Sequence, residues 1–395
     1  MPGSVILAGA RTPIGKLSGA LGGHAAADLG GVAIKAALER AGVAPDRVDY
    51  VFMGQVLQAG TGQITARQAA VKAGIPMTVP ATTVNKVCLS GLHAIYLADL
   101  LIQAGDADIV VAGGMESMTQ APYLLPGARE GYRAGDKSVV DSMMYDGLFC
   151  AFDLCAMGAG TERYTRELGG ITREQQDEFA AQSHERAAAA IKDGLFADQT
   201  TPVEVPQRKG DPIIVETDEG VRPGTTPETL GALRPAFEAD GTITAGNASQ
   251  ISDGASAVIV TSRATADELS GTPLGEFVSY GQVAGPDASL LTQPSGAIKQ
   301  ALEKAGKRVG DVGVFEINEA FAAVGLAAMR DLGITDEVTN VNGGAIALGH
   351  PIGMSGNRLA LTLLHELRRR GGGLGAAALC GGGGQGDAIL LRALS

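Results

Sequence analysis

One phrase is written twice in this chain. Ala33-Ile34-Lys35-Ala36-Ala37-Leu38-Glu39-Arg40-Ala41-Gly42 leads through a polar connector to Val48-Asp49-Tyr50-Val51-Phe52-Met53-Gly54. Ala297-Ile298-Lys299-Gln300-Ala301-Leu302-Glu303-Lys304-Ala305-Gly306 leads, without a gap, to Val312-Gly313-Val314-Phe315-Glu316-Ile317-Asn318. Apolar residues at helical spacing, a stop glycine and a β-rich run predict helix, C-cap and strand in both places. The separation far exceeds any solenoid period, so the chain holds one fold twice. The parallel continues with Val84-Asn85 and Val341-Asn342, with Ser90-Gly91 and Ser355-Gly356, and with the strand-like runs from Ala107 to Gly114 and from Ala376 to Gly382.

In the second copy a last strand, Asp387 to Leu391, follows almost at once, whereas its counterpart, Ala255 to Val260, arrives much later. Residues from about Glu116 to Asn247 therefore read as an insertion, with its own helix capped by Thr172 and Gln175 and ending near Gly194. An insertion of that length at a strand end is more often functional than a spacer. The expected division is 1–116 with 248–270 as the first half, 117–247 as an inserted loop domain, and 271–395 as the second half.

Composition narrows the function classes. The formal net charge of −12 opposes nucleic acid or an anionic membrane as partner, and the lack of tryptophan opposes base-stacking platforms. The opening Met1 to Gly9 has no basic run, no apolar stretch approaches membrane-spanning length, and the scattered cysteines Cys88, Cys150, Cys155 and Cys380 form no disulfide framework, so a cytoplasmic protein is expected. Cys150 and Cys155 lack a second pair for a zinc site. Two decoys fail. Gly9 to Lys16 lacks the first glycine and the hydroxyl of a phosphate-binding loop, and Gly381 to Gly386 leaves too little chain for a dinucleotide unit.

Cys88 stands where a short strand, Pro80 to Val84, gives way to a helix beginning near Leu92. At a first helical turn, unpaired N–H groups and the helix dipole favour thiolate. Cys380 closes a strand of the second copy, and Asn318 and His350 also fall just past strands, where α/β sheets bind ligands. His350, between Gly349 and Pro351, has no apolar face to fill. His93 and His365 read as structural, His24 and His184 as surface residues, and Glu319 as a first-turn helix residue.

These motifs, Asn85-Lys86-Val87-Cys88-Leu89-Ser90-Gly91, Asn318-Glu319-Ala320-Phe321-Ala322, Asn342 to Gly356, and Cys380 to Gly386, resemble those of the thiolases, in their acetyl-CoA acetyltransferase branch, and the likeness runs end to end. The resemblance implies an α/β thiolase fold: duplicated βαβαβαββ halves in a five-layer αβαβα arrangement, with an inserted loop domain that binds coenzyme A. It implies a homotetramer, acetyl-CoA, acetoacetyl-CoA and CoA as substrates and products, and no metal or other cofactor. Cys88 would carry the acetyl group and His350 accept its proton. Cys380 would deprotonate a second acetyl-CoA, with Asn318, through a water, and His350 stabilising the enolate. The backbone of Cys88 and Gly382 would hold the oxyanion. Arg222 would lie against adenine, with Phe237, Ala245 and Ser249 along the pantetheine tunnel, and Met157, Leu290 and Phe321 would also bind the substrate.

Departures from the family pattern at Ala156, Gln250, Gln293 and Met354 border the expected pocket and leave chain-length preference open. A degradative 3-ketoacyl-CoA thiolase and a non-catalytic acyl-CoA-binding protein are the alternatives. A decarboxylating condensing enzyme would replace Cys380 with histidine.

Overall fold

The computed structural model describes residues 4–269 and 271–393, so the expected boundaries at 1, 270 and 395 lie outside the described residues. The first half contributes strands β1 (Val5–Arg11), β2 (Tyr50–Gly54), β3 (Ala81–Val84), β4 (Ile109–Ser117) and β5 (Ser252–Thr261), with helices α1 (Ala26–Ala41), α2 (Thr65–Lys72) and α3 (Ser90–Ala104). Between β4 and β5 run α4 (Met157–Leu168), α5 (Arg173–Lys192) and short hairpins. The second half contributes β6 (Gly275–Ala284), β7 (Val314–Ile317), β8 (Gly373–Gly381) and β9 (Gln385–Ala393), with α6 (Gln293–Lys304), α7 (Ala322–Leu332) and α8 (Ser355–Arg369).

The duplication is visible in the pairing. β2 lies parallel to β3 and β4, β4 antiparallel to β5, and β5 antiparallel to β1. In the second half β7 is parallel to β8, β8 antiparallel to β9, and β9 antiparallel to β6. The counterpart of β3 shrinks to one parallel bridge, Phe315 to Thr339. The half-sheets join through the Val5–Glu276 and Ile6–Gly275 pairs of β1 and β6, giving one mixed sheet of these nine strands, with the two-residue strand Gly15–Lys16 as a tenth beside β5. The ladders correct one alignment. Val110 lies beside Tyr50 and Gly375 beside Val314, so Ala107 does not correspond to Ala376, and Met115 occupies the place that Cys380 takes in the second half.

Alternation builds the layers. Val51, Met53, Val111 and Ile259 face α1 and α2, while Phe52, Val110, Ala112, Val258 and Val260 face α3 and α8. From the second half-sheet, Ala377, Leu379, Ile389 and Leu391 meet the same two helices, and Phe315, Ala376, Ala378 and Leu390 meet α6 and α7. The result is a five-layer αβαβα stack with α3 and α8 at its centre. A Cβ on Gly356 would stand 2.5 Å from Leu92 N, and one on Gly91 2.9 Å from Asn357 N, so each Ser-Gly pair lets the central helices touch backbone to backbone. The window Val87–Ala104, with mean hydropathy 1.5, is long and apolar enough to cross a membrane, contrary to the expectation; this fold uses it as its central layer.

Gly42 and Gly306, at φ 64° and 62°, close α1 and the turn after α6. Thr172 caps α5 with Gln175 completing the box.

Candidate active site

The loop that carries Cys88 is folded by its own side chains. Asn85 Oδ1 accepts from Val87 N–H at 3.0 Å, and Ser90 Oγ accepts from Lys86 N–H at 2.8 Å while donating to Val87 O at 2.6 Å. These bonds hold Val87 at φ 51°, a conformation that costs a β-branched residue about 1–3 kcal/mol. Cys88 follows it, two residues before α3 begins at Ser90. The thiolate expected from the helix dipole is not what the site favours. Burial pushes the Cys88 thiol up to about 12, outweighing hydrogen bonds from its own N–H and from Gly382 N–H. At rest, Cys88 is a thiol.

Gly382 follows β8 and Cys380 lies within it, so the second half supplies both a donor to the Cys88 sulfur and a second, fully buried thiol. Burial, and then the neighbouring Cys88, raise the Cys380 thiol as well.

His350 sits on the loop before α8. Its Nδ1 lies 2.5 Å from Ser355 Oγ, whose proton goes to Pro351 O at 2.9 Å. Ser355 can then only accept, which places the ring proton on Nδ1 and leaves Nε2 as the basic nitrogen. Asn318 Nδ2 stands 3.4 Å from that Nε2, and Asn318 Oδ1 is buried without a partner among the described residues. Burial, followed by the charge of Arg358, pushes His350 down to about 3, so the imidazole is neutral.

Two buried carboxylates brace this centre, and sequence reasoning missed both roles. Glu116 accepts from Val56, Leu57 and Gly353 N–H at 3.0, 3.1 and 3.0 Å, and burial pushes it up to about 7. Glu319 is not in a first helical turn, since α7 starts at Ala322. It accepts from Ser183 Oγ, Asn340 Nδ2 and Ile346 N–H at 2.6, 2.8 and 3.0 Å, tying α5 to the loop below His350. The signal for Ser355 was present in the repeat, because it occupies the place of Ser90.

A cavity of about 500 Å³ opens onto His350. Arg222, Phe237, Ala245, Ser249, Met157 and Phe321 all line it, as do Ala156 and Gln250. Leu290 does not; it packs behind the wall with Cys380 and Phe321. Cys88, Cys380 and Asn318 are not among its lining residues, and Gly382 lines a neighbouring cavity with Val87 and Met157. Gln293 and Met354 were expected at the pocket but do not line it. Gln293 donates to Gly285 O at 3.0 Å, and Met354 packs with Ile14 and Leu348. His184, expected at the surface, is buried; its Nδ1 accepts from Arg222 N–H at 3.1 Å, and burial and the Arg222 charge push it down to about 4. Among the described residues, no group of three or more His, Cys, Asp or Glu is placed to hold a metal ion.

The thiolase N-terminal domain family matches residues 4–264 and the thiolase C-terminal domain family matches residues 271–393. The chain belongs to the thiolase family. This thiolase is 59% identical over 388 residues to a probable acetyl-CoA acetyltransferase of Mycolicibacterium smegmatis, covering 98% of this chain and 100% of that one. It is 58% identical over 393 residues to a protein of the same name from Mycobacterium tuberculosis, covering 100% of both. With the acetyl-CoA acetyltransferase of Cupriavidus necator the identity is 53% over 389 residues, 98% of each chain.

Proposed function

We propose that this thiolase is an acetyl-CoA C-acetyltransferase, condensing two acetyl-CoA to acetoacetyl-CoA and CoA and running the reverse thiolysis. One observation carries the reading: the backbone N–H of Gly382, two residues past Cys380, favours charge on the Cys88 sulfur, and Cys88 in turn raises the Cys380 thiol, so the two halves bring both thiols to one place. The names of its relatives support the acetyl substrate.

The protonation states dictate the order of events. His350 Nε2 takes the Cys88 proton as sulfur bonds the thioester carbonyl carbon, so thiolate need not accumulate. The N–H groups of Cys88 and Gly382 hold the oxygen of the tetrahedral adduct; one lost donor of this kind costs about 2.7–4 kcal/mol. The CoA sulfur then leaves and needs a proton. Cys380, a thiol at rest, supplies it and becomes the base. When a second acetyl-CoA enters, Cys380 takes a methyl proton, and the enolate oxygen is held by protonated His350 and by a water on the unpartnered Oδ1 of Asn318. The enolate carbon attacks acetyl-Cys88. Cys88 leaves as thiolate and recovers its proton from His350. Every group is back in its starting state, and the residues present perform each proton transfer.

Mass spectrometry after incubation with acetyl-CoA tests this. One acetyl group is expected on the Cys88 peptide, absent in Cys88→Ala, while Cys380→Ala acetylates more slowly, its CoA sulfur leaving without that proton donor, and does not condense. Acetyl on another residue, or none, overturns the reading. Ala156 in the cavity wall favours a second reading, a broader 3-ketoacyl-CoA thiolase; a steep preference for long chains in thiolysis would establish it. We also propose a homotetramer, supported by the exposed Tyr123, Leu125, Tyr145, Phe152 and Leu154 between β4 and α4, with light scattering as its test.

A further inference from the structure

The side-chain amide of Gln250 is locked in one orientation. Its Nε2 donates to Gly220 O and Ile346 O at 2.9 Å and to Ala347 O at 3.1 Å. Three carbonyl oxygens around one terminal atom accept an NH2 and repel an oxygen, so the flipped amide is excluded. The other terminus, Oε1, takes no hydrogen bond from any described residue and is not among the buried unpartnered atoms. Gln250 lines the cavity shared by Arg222, Ser249 and His350. The walls beside it are apolar: Met118, Leu148, Met157, Phe237 and Ile251.

A fixed acceptor without a donor, in an apolar wall, selects for an N–H. Its place along the cavity says which. Gly220, which it holds, is two residues from Arg222, while its own carbonyl accepts from His350 N–H at 3.0 Å. Gln250 therefore stands between the end assigned to the nucleotide and the reacting end. The pantetheine arm of a CoA thioester spans that interval, and its amides are the N–H donors it carries.

We propose that Gln250 is a substrate-binding residue whose Oε1 accepts a hydrogen bond from a pantetheine amide N–H. The inference rests on the CoA-thioester reading of the site and extends it to a side chain at a position where the family pattern has glycine. The two bound N–H groups pre-orient the acceptor, so little side-chain freedom is lost on binding.

Two variants and two substrates test it. Gln250→Met keeps length and removes both donor and acceptor; Gln250→Gly removes the side chain and is a residue that the family accepts there. Each is assayed with acetyl-CoA and with an acetyl thioester of a simple alkanethiol, which has no amide. We expect kcat/KM for acetyl-CoA to fall in both variants about tenfold further than kcat/KM for the amide-free thioester, with the extra loss mainly in KM. An equal loss on both substrates would assign Gln250 to bracing the His350 loop alone and overturn the inference, as would no loss on either. A wild type that turns over neither thioester overturns the reading of the site, and this inference with it.

Discussion

Lys86 Nζ lies 2.8 and 2.9 Å from the two carboxylate oxygens of Asp387, and this pair fastens the Cys88 loop of one half to the other half. Asp387 sits on β9 opposite Leu379, the neighbour of Cys380. Tyr280 OH also donates to it at 2.5 Å, while the Tyr280 ring stacks on Tyr96 of α3 at 4.2 Å. Asp387 is fully enclosed, whereas the Lys86 side chain is 18% exposed. Removing one member of a buried pair costs about 3–5 kcal/mol, because the other is left uncompensated. Lys86→Met, which strands the enclosed carboxylate, should therefore destabilise more than Asp387→Asn, which leaves an ammonium able to reach water. Denaturant unfolding of both variants and the double variant checks this: the double variant should lose less than the sum. kcat should fall in each, because Cys88 and Gly382 lose their common footing.

Ser355 decides which nitrogen of His350 carries the ring proton. Its hydroxyl is committed to Pro351 O, so Ser355→Ala removes the acceptor for Nδ1–H and frees the ring to turn or change tautomer. General-base assistance is worth about 10²–10⁴ in rate. Ser355→Ala should lower kcat by about 10² with little change in KM for acetyl-CoA, and Ser355→Thr, which keeps the hydroxyl, should recover part of it. Steady-state kinetics on the three proteins separates this from a packing defect, for which alanine would be the milder change.

What could be read from the chain in advance follows from which forces are local. The repeated helix-glycine-strand phrase announced two equal halves because caps and periodicity act within a few residues, and Gly42 and Gly306 close their turns accordingly. The cavity residues from Arg222 to Phe321 came with the family's motifs. Charge states were not legible. The first-turn argument for Cys88 weighed a dipole without the burial that opposes it, and only the fold shows that burial prevails. Glu319 looked like a helix-start acid because its partners, Ser183 and Ile346, are distant in sequence. The shift between the two half-sheets escaped notice because small apolar residues at Ala107 and Ala376 align equally well in several registers.

The raised Cys88 thiol has a pH signature. Its proton is held from the ordinary value of 9.0 up to about 12, so the thiolate absorbance difference between wild type and Cys88→Ala should show no step below about pH 10. The folded state keeps this proton after the unfolded chain has released it, so stability should fall as pH rises from 9.0 towards 12, less steeply in Cys88→Ala. A thiolate step near neutral pH would show that the helix start governs Cys88 after all.

Gly114 tests whether the loop carrying His350 is set by backbone contact. A Cβ there would lie 1.9 Å from Gly353 O, far inside contact distance, and that neighbour is backbone and cannot swing aside as a side chain would. Gly353 N–H is also one of the groups bound by Glu116, so pushing the loop away breaks a second restraint on the segment that carries His350. Gly114→Ala adds only a methyl group, and on β4 the residue has no positive φ that would need glycine. Overpacking of this kind costs about 1–3 kcal/mol. The variant should fold with lowered stability and lose activity out of proportion to that loss, with acetylation of Cys88, followed by mass spectrometry, slowed because the loop carrying His350 is displaced. By contrast Gly23→Ala, where a Cβ meets nothing within 4 Å, should leave both properties unchanged. Equal behaviour of the two variants would show that the His350 loop relaxes freely and that the close approach at Gly114 does not position it.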